Sequence, residues 1–133
     1  MLRTYLFAGA LMIASLVQSW PAAAQEPLAV SSVWINELGS TMTIQTVGSD
    51  GLITGTYVTA AGCGVGTVRP LRGWYNNGAI TFTVNWQECN SLTSWTGNLT
   101  SSGVTIATLW LLALSGPPEW NSINAGADTF TLQ

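Results

Sequence analysis

Ser40, Tyr57, Thr59, Thr93 and Asp128 sit at positions that period-two alternation turns to the same side as Trp86, Trp95 and Trp110. Hydroxyls and a single carboxylate set among aromatic walls can do one kind of chemistry well, the placed hydrogen bonding of a small ligand in an apolar cavity. A carboxylate among tryptophans is costly unless its oxygens find donors, and a ligand carrying N–H groups supplies them. Reactive chemistry has little to work with. The chain has no histidine, which removes Ser/His and Cys/His nucleophilic pairs and imidazole metal ligands, and two cysteines cannot complete a zinc site. Glu119 and Asp128 are a nominal acid/base pair, but Glu119 follows Pro118 in an expected loop with no visible partner. The reading is a binding protein with no catalytic residue, no metal and no cofactor.

Charge narrows the partners further. Among 133 residues only 7% are charged, three basic against six acidic, without a lysine. The basic patch that holds nucleic acid or anionic lipid is missing. Residues 1–24 read as a secretory signal: Arg3 gives the positive start, Tyr5 to Val17 an apolar stretch shorter than a membrane span, and Ala22-Ala23-Ala24 a small-residue cleavage site. The mature chain then keeps Arg69 and Arg72 against six acids, a formal charge of −4, and is expected in the secreted or periplasmic space with no membrane attachment after cleavage. An oxidising compartment favours a disulfide between Cys63 and Cys89, which would stabilise the fold by about 3.5 kcal/mol in the loop-closure picture.

The elements that must position these side chains are strands. From Trp34 onward short runs rich in threonine, valine, isoleucine and aromatics alternate with Gly, Asn, Asp and Pro turn signals, and no stretch carries helical periodicity. Residues 25–32 read as a tail and 33–133 as the folded unit, with strands expected near 33–37, 40–47, 52–59, 67–74, 79–87, 93–100, 104–113 and 127–132. Inward faces follow from alternation: Ile53, Gly55, Tyr57 and Thr59 in the third run, Ile80, Phe82, Val84 and Trp86 in the fifth, Thr93, Trp95, Gly97 and Leu99 in the sixth, Asp128, Phe130 and Leu132 in the last. Eight sequential antiparallel strands with short turns favour an all-β, eight-stranded up-and-down β-barrel, wide enough for one small ligand, over a β-sandwich. The seventh run is apolar on both faces, since Ala107, Leu109, Leu111 and Ala113 alternate with Ile106, Thr108, Trp110 and Leu112. A solvated barrel strand should be polar outside, so a second subunit is expected to cover it.

Six ordered segments, Trp34-Ile-Asn-Glu-Leu-Gly-Ser40, Ile53-Thr-Gly-Thr-Tyr57, Ile80-Thr-Phe-Thr-Val-Asn-Trp86, Ser94-Trp-Thr-Gly97, Leu109-Trp-Leu-Leu112 and Gly126-Ala-Asp-Thr-Phe130, together resemble the avidin and streptavidin family of secreted biotin-binding barrels. The cysteine pair resembles that of bacterial avidins, which staple the loops after the third and fifth strands. The resemblance implies biotin as the ligand, with Asn36, Ser40 and Tyr57 donating to its ureido oxygen and Thr59 and Asp128 accepting from its ureido nitrogens. It implies Thr93 near the thioether sulfur, Ser91 at the valerate carboxylate, and Trp86, Trp95, Trp110 and Leu112 around the rings and chain. It also implies a homo-oligomer, a tetramer rather than a dimer, in which Trp120 reaches a neighbour's pocket.

Two positions depart from the streptavidin pattern. Cys63 stands in the loop Ala60-Ala61-Gly62-Cys63 where an asparagine side chain would meet the carboxylate, and Thr59 replaces a serine while keeping the hydroxyl. Two other readings compete: a lipocalin-like carrier of another small hydrophobic ligand, which calls for a largely apolar cavity, and a β-domain without a cavity whose tryptophans are plain core.

Overall fold

Asn77 and Gly78 both adopt positive φ, 46° and 94°, and the flanking Asn76 and Ala79 pair directly, so the chain reverses in two residues. That is the Asn-Gly hairpin turn whose twist matches its strands. It joins the fourth and fifth of eight strands in the computed structural model, which describes residues 27–117 and 119–133. The expected signal segment 1–24 lies outside the described residues. The strands are β1 Val33–Asn36, β2 Thr41–Val47, β3 Leu52–Val58, β4 Val68–Asn76, β5 Ala79–Trp86, β6 Ser91–Leu99, β7 Thr105–Leu114 and β8 Ile123–Leu132. Each pairs antiparallel with the next, and β1 returns to β8 through Trp34 opposite Leu132, closing an up-and-down barrel.

Alternation holds through the barrel. Ile53, Tyr57, Ile80, Phe82, Val84, Trp95, Leu99, Ile106 and Phe130 are buried together with Trp34, Met42 and Ile44 in one core. Buried aromatics meet at its centre, Phe82 stacked on Trp95 at 4.9 Å between centroids and Tyr57 tilted over Trp95 at 5.0 Å. In β2 a bulge between Ile44 and Thr46 shifts the register, which ends the inward series Met42, Ile44 and leaves Thr46 exposed.

The expected boundaries move by two residues or more in three strands and by one elsewhere. Strand β8 begins at Ile123 rather than residue 127, because β7 is ten residues long and pairs as far as Ala113 opposite Ile123. The small residues Ala125-Gly126-Ala127 carry no β-propensity signal, so cross-strand pairing decides the matter. Strand β6 starts at Ser91 and not 93, and β4 runs on to Asn76. The described part of the segment read as a tail is docked: Leu28 is buried in the core, Ser31 N–H donates to Ile44 O at 2.8 Å, and Trp34 Nε1 donates to Ser32 Oγ at 2.8 Å.

Candidate functional site

Up-and-down connectivity gathers the β1–β2, β3–β4, β5–β6 and β7–β8 connections at one end of the barrel, and a cavity of about 350 Å³ opens there. Eleven of the twelve residues expected at a ligand line it: Asn36, Ser40, Tyr57, Thr59, Trp86, Ser91, Thr93, Trp95, Trp110, Leu112 and Asp128. The twelfth, Trp120, does not; it stands 84% exposed in a short 3-10 turn, Glu119–Ser122, outside the barrel mouth. Leu38, Cys89 and Leu114 also line the cavity and had not been expected there; Ala61, Gly62 and Cys63, from the loop that the resemblance set near the carboxylate, line it too. All but Leu114, the last residue of β7, come from connections, where alternation gives no facing signal; the apolar Leu38 in a tight turn was the one usable hint.

The strands fix the polar groups by giving each a first partner. The side-chain oxygen of Asn36 accepts from Leu38 N–H at 3.1 Å and Ser40 N–H at 2.8 Å, which turns its NH2 group to the cavity as a donor. Ser40 Oγ accepts from Ala60 N–H at 3.0 Å, which leaves its proton to donate. Thr59 donates to Ala61 O at 2.6 Å and its oxygen accepts from Ala61 N–H at 3.2 Å, which leaves one lone pair to accept from a ligand. Trp86 Nε1 donates to Thr93 Oγ1 at 2.8 Å, so the Thr93 proton is free to point elsewhere. Trp95 Nε1 donates to Asp128 Oδ2 at 2.8 Å, and Thr108 Oγ1 anchors the Asp128 backbone carbonyl at 3.0 Å. One donor that the sequence reading assigned to a ligand is therefore supplied by Trp95, leaving Oδ1 for a donor in the cavity.

Electrostatics keep this end a donor. Burial pushes the Tyr57 phenol up to about 12, an effect that the neighbouring Ser40 hydroxyl partly opposes and the carboxylates of Asp128 and Glu37 reinforce. Tyr57 is thus a neutral O–H at any ordinary pH. Aromatic faces form the sides: Tyr57 meets Trp86 edge-on at 5.9 Å, with Trp110 and Leu112 on β7 beyond them.

The lid over the cavity is the β3–β4 connection, residues 59–67. It is folded on itself by Gly66 N–H to Thr59 O and Thr67 N–H to Gly64 O, both 3.0 Å. The Cys63–Cys89 disulfide, with Cα atoms 6.3 Å apart, ties it to the β5–β6 connection, and the Arg69–Glu88 ion pair ties the start of β4, just beyond the lid, to the same connection. The pairing expected for the two cysteines is present.

The sequence profile of the avidin family matches residues 24–133. Afifavidin of Afifella pfennigii is 46% identical over 113 residues, 78% of this chain and 69% of that protein. Avidin of Gallus gallus is 32% identical over 135 residues, 91% of this chain and 89% of its own. Among solved structures, a shwanavidin variant in complex with biotin superposes with a TM-score of 0.75 at 33% identity, covering 81% of this chain and 99% of that one.

Proposed function

The chain belongs to the avidin family, and on that premise we propose that it is an exported protein that captures biotin non-covalently and with high affinity in the open end of its barrel. One observation carries the reading. At the inner end of the cavity the Asn36 NH2 and the Ser40 and Tyr57 hydroxyls are donors, while Thr59 Oγ1 and Asp128 Oδ1 are acceptors. A ureido group, one carbonyl flanked by two N–H groups, is the complement of that set. The donors favour partial negative charge on the ureido oxygen, and Asp128 favours partial positive charge on a ureido nitrogen, so the two ends reinforce one another in a poorly solvated site.

The remaining roles follow along the ligand. Thr93, whose oxygen is engaged by Trp86, turns its proton toward the thioether sulfur. Trp86, Trp95, Trp110 and Leu112 enclose the rings and valeryl chain, and Ser91 with lid backbone N–H groups meets the carboxylate at the mouth. No cationic side chain lines the cavity among the described residues, so the carboxylate is held by dipoles alone. The protein works as a binder and performs no catalysis; biotin is its ligand and not a cofactor. The exposed outward side chains Leu109 and Leu111 on β7, with Trp120 beyond them, support a homo-oligomer, a tetramer before a dimer, in which Trp120 closes a neighbour's mouth. Residues 1–24 act as the export signal, placing the mature chain in the secreted or periplasmic space.

Tryptophan fluorescence titrated with biotin and, separately, with a fatty acid tests the assignment. Saturation by biotin at one equivalent per chain supports it; saturation by the fatty acid with no response to biotin restores the lipocalin-like carrier.

A further inference from the structure

Four strand glycines stand where an added side chain would collide with a neighbour. Three of them press on backbone: Gly55 on the Thr43 carbonyl, Gly73 on the Thr81 carbonyl and Gly97 on the Ala107 carbonyl. Gly126 differs, because what a Cβ there would meet is a side chain, the indole of Trp110. It would collide with Cζ2 and stand 2.5 Å from Cε2 and 3.0 Å from Cη2. Gly126 pairs with Trp110 across β7 and β8, and Trp110 pairs with Trp95 across β6 and β7. The Gly126 backbone is not in the left-handed region, so its own conformation admits alanine.

The same indole lines the ligand cavity on one side and, on the other, a shallow apolar groove on the outer face bordered by Leu109, Leu111, Ala125 and Ala127. The barrel wall at this point is therefore the indole resting across bare backbone. We propose that Gly126 is a positioning residue of the ligand site: its missing side chain is the seat of Trp110, and the flat approach of the ring to β8 sets the width of the cavity at the wall. This rests on the biotin reading of the cavity. A methyl group at 126 has to displace the indole, either inward, narrowing the space for the ligand, or outward into the groove, opening the wall. Overpacking of this size costs about one to two orders of magnitude in an equilibrium constant.

The test compares the dissociation rate of biotin from the full-length protein and from Gly126→Ala, with near-ultraviolet circular dichroism of both without ligand. The expected result is release at least about 10-fold faster, with an altered tryptophan signal before any ligand is added. The same Gly126→Ala change is then made on a Trp110→Leu background, where no ring crosses position 126. There it is expected to alter release and thermal midpoint little. Wild-type release from Gly126→Ala overturns the proposal, and so does an equal penalty in both backgrounds, since either means the indole is not the obstacle. If Gly126→Ala alone fails to fold while the double variant folds, the indole is the obstacle and the proposal stands; failure of both overturns it. Should the wild-type protein not bind biotin, the biotin reading fails by itself, and the circular dichroism of the two backgrounds still decides whether Gly126 seats Trp110.

Discussion

Trp95 on β6 donates its indole N–H to Oδ2 of Asp128 on β8 at 2.8 Å, a bond spanning 33 positions of sequence beneath the ligand cavity. It stabilises a buried carboxylate without neutralising it, and it fixes which oxygen faces the cavity. A ligand N–H then meets an oriented acceptor and has no side-chain rotation to freeze.

Asp128→Ala is expected to weaken biotin binding by about 2 kcal/mol or more, because a ureido donor is left without its acceptor in a site that water enters poorly. Trp95→Phe keeps an aromatic ring but removes the pyrrole half of the indole with its N–H, and should cost less, since Asp128 itself remains to accept from the ureido group. Release rates of the two variants check the order; an unchanged rate in Asp128→Ala contradicts the assignment of the acceptor.

Tyr57 sets the alkaline limit. Its phenol is ordinary in the unfolded chain, near 10, and raised to about 12 in the folded one. Below pH 10 both states are protonated and stability does not depend on this group. Between pH 10 and 12 the unfolded chain releases a proton that the folded chain keeps, so stability falls with rising pH, by up to roughly 3 kcal/mol. Biotin affinity should vary little from pH 6 to 9 and fall only as Tyr57 ionises. Denaturation midpoints across pH 8 to 12 in the wild type and Tyr57→Phe measure this; an equally steep loss in Tyr57→Phe assigns the transition to another group.

Reduction of Cys63–Cys89 is expected to lower the thermal midpoint by roughly 10 °C and to speed biotin release before it abolishes binding. Both cysteines line the cavity, yet neither belongs to its ureido end, and Arg69–Glu88 still ties the start of β4 to the β5–β6 connection after reduction. Scanning calorimetry and release kinetics of the Cys63→Ser/Cys89→Ser variant check the order of these losses. Abolished binding with an unchanged midpoint contradicts it.

Much of this site was legible because a strand repeats every two residues. One assignment of phase placed Tyr57 and Thr59, Trp86, Thr93 and Trp95, and Asp128 on the inner wall, and barrel closure brought them together. Alternation with Met42 and Ile44 also placed Ser40, whereas Asn36 needed the family resemblance, since it ends β1, where facing depends on turn geometry. Leu38 in the β1–β2 turn escaped notice for the same reason. The early start of β8 escaped because small residues from 125 to 127 join a strand only when a long partner, here β7, pairs with them. The seat of Trp110 on Gly126 is a contact between two strands' side-chain spaces, which no single strand's pattern contains.

Trp120 carries the proposal about assembly. Its ring has almost no burial within its own barrel. Trp120→Ala should therefore leave the thermal stability of an isolated subunit nearly unchanged, and should speed biotin release and weaken the oligomer together. Light scattering beside release kinetics reads both, and wild-type assembly with wild-type release removes the intersubunit role.

The central claim is that this barrel is built around a ureido group, and calorimetric titration of the mature protein with biotin tests it most directly. The expected result is a steep exothermic transition at one biotin per chain, too tight to resolve at micromolar protein and displaceable only slowly by a ureido-bearing analogue. A flat titration of correctly folded, disulfide-bonded protein would contradict the account.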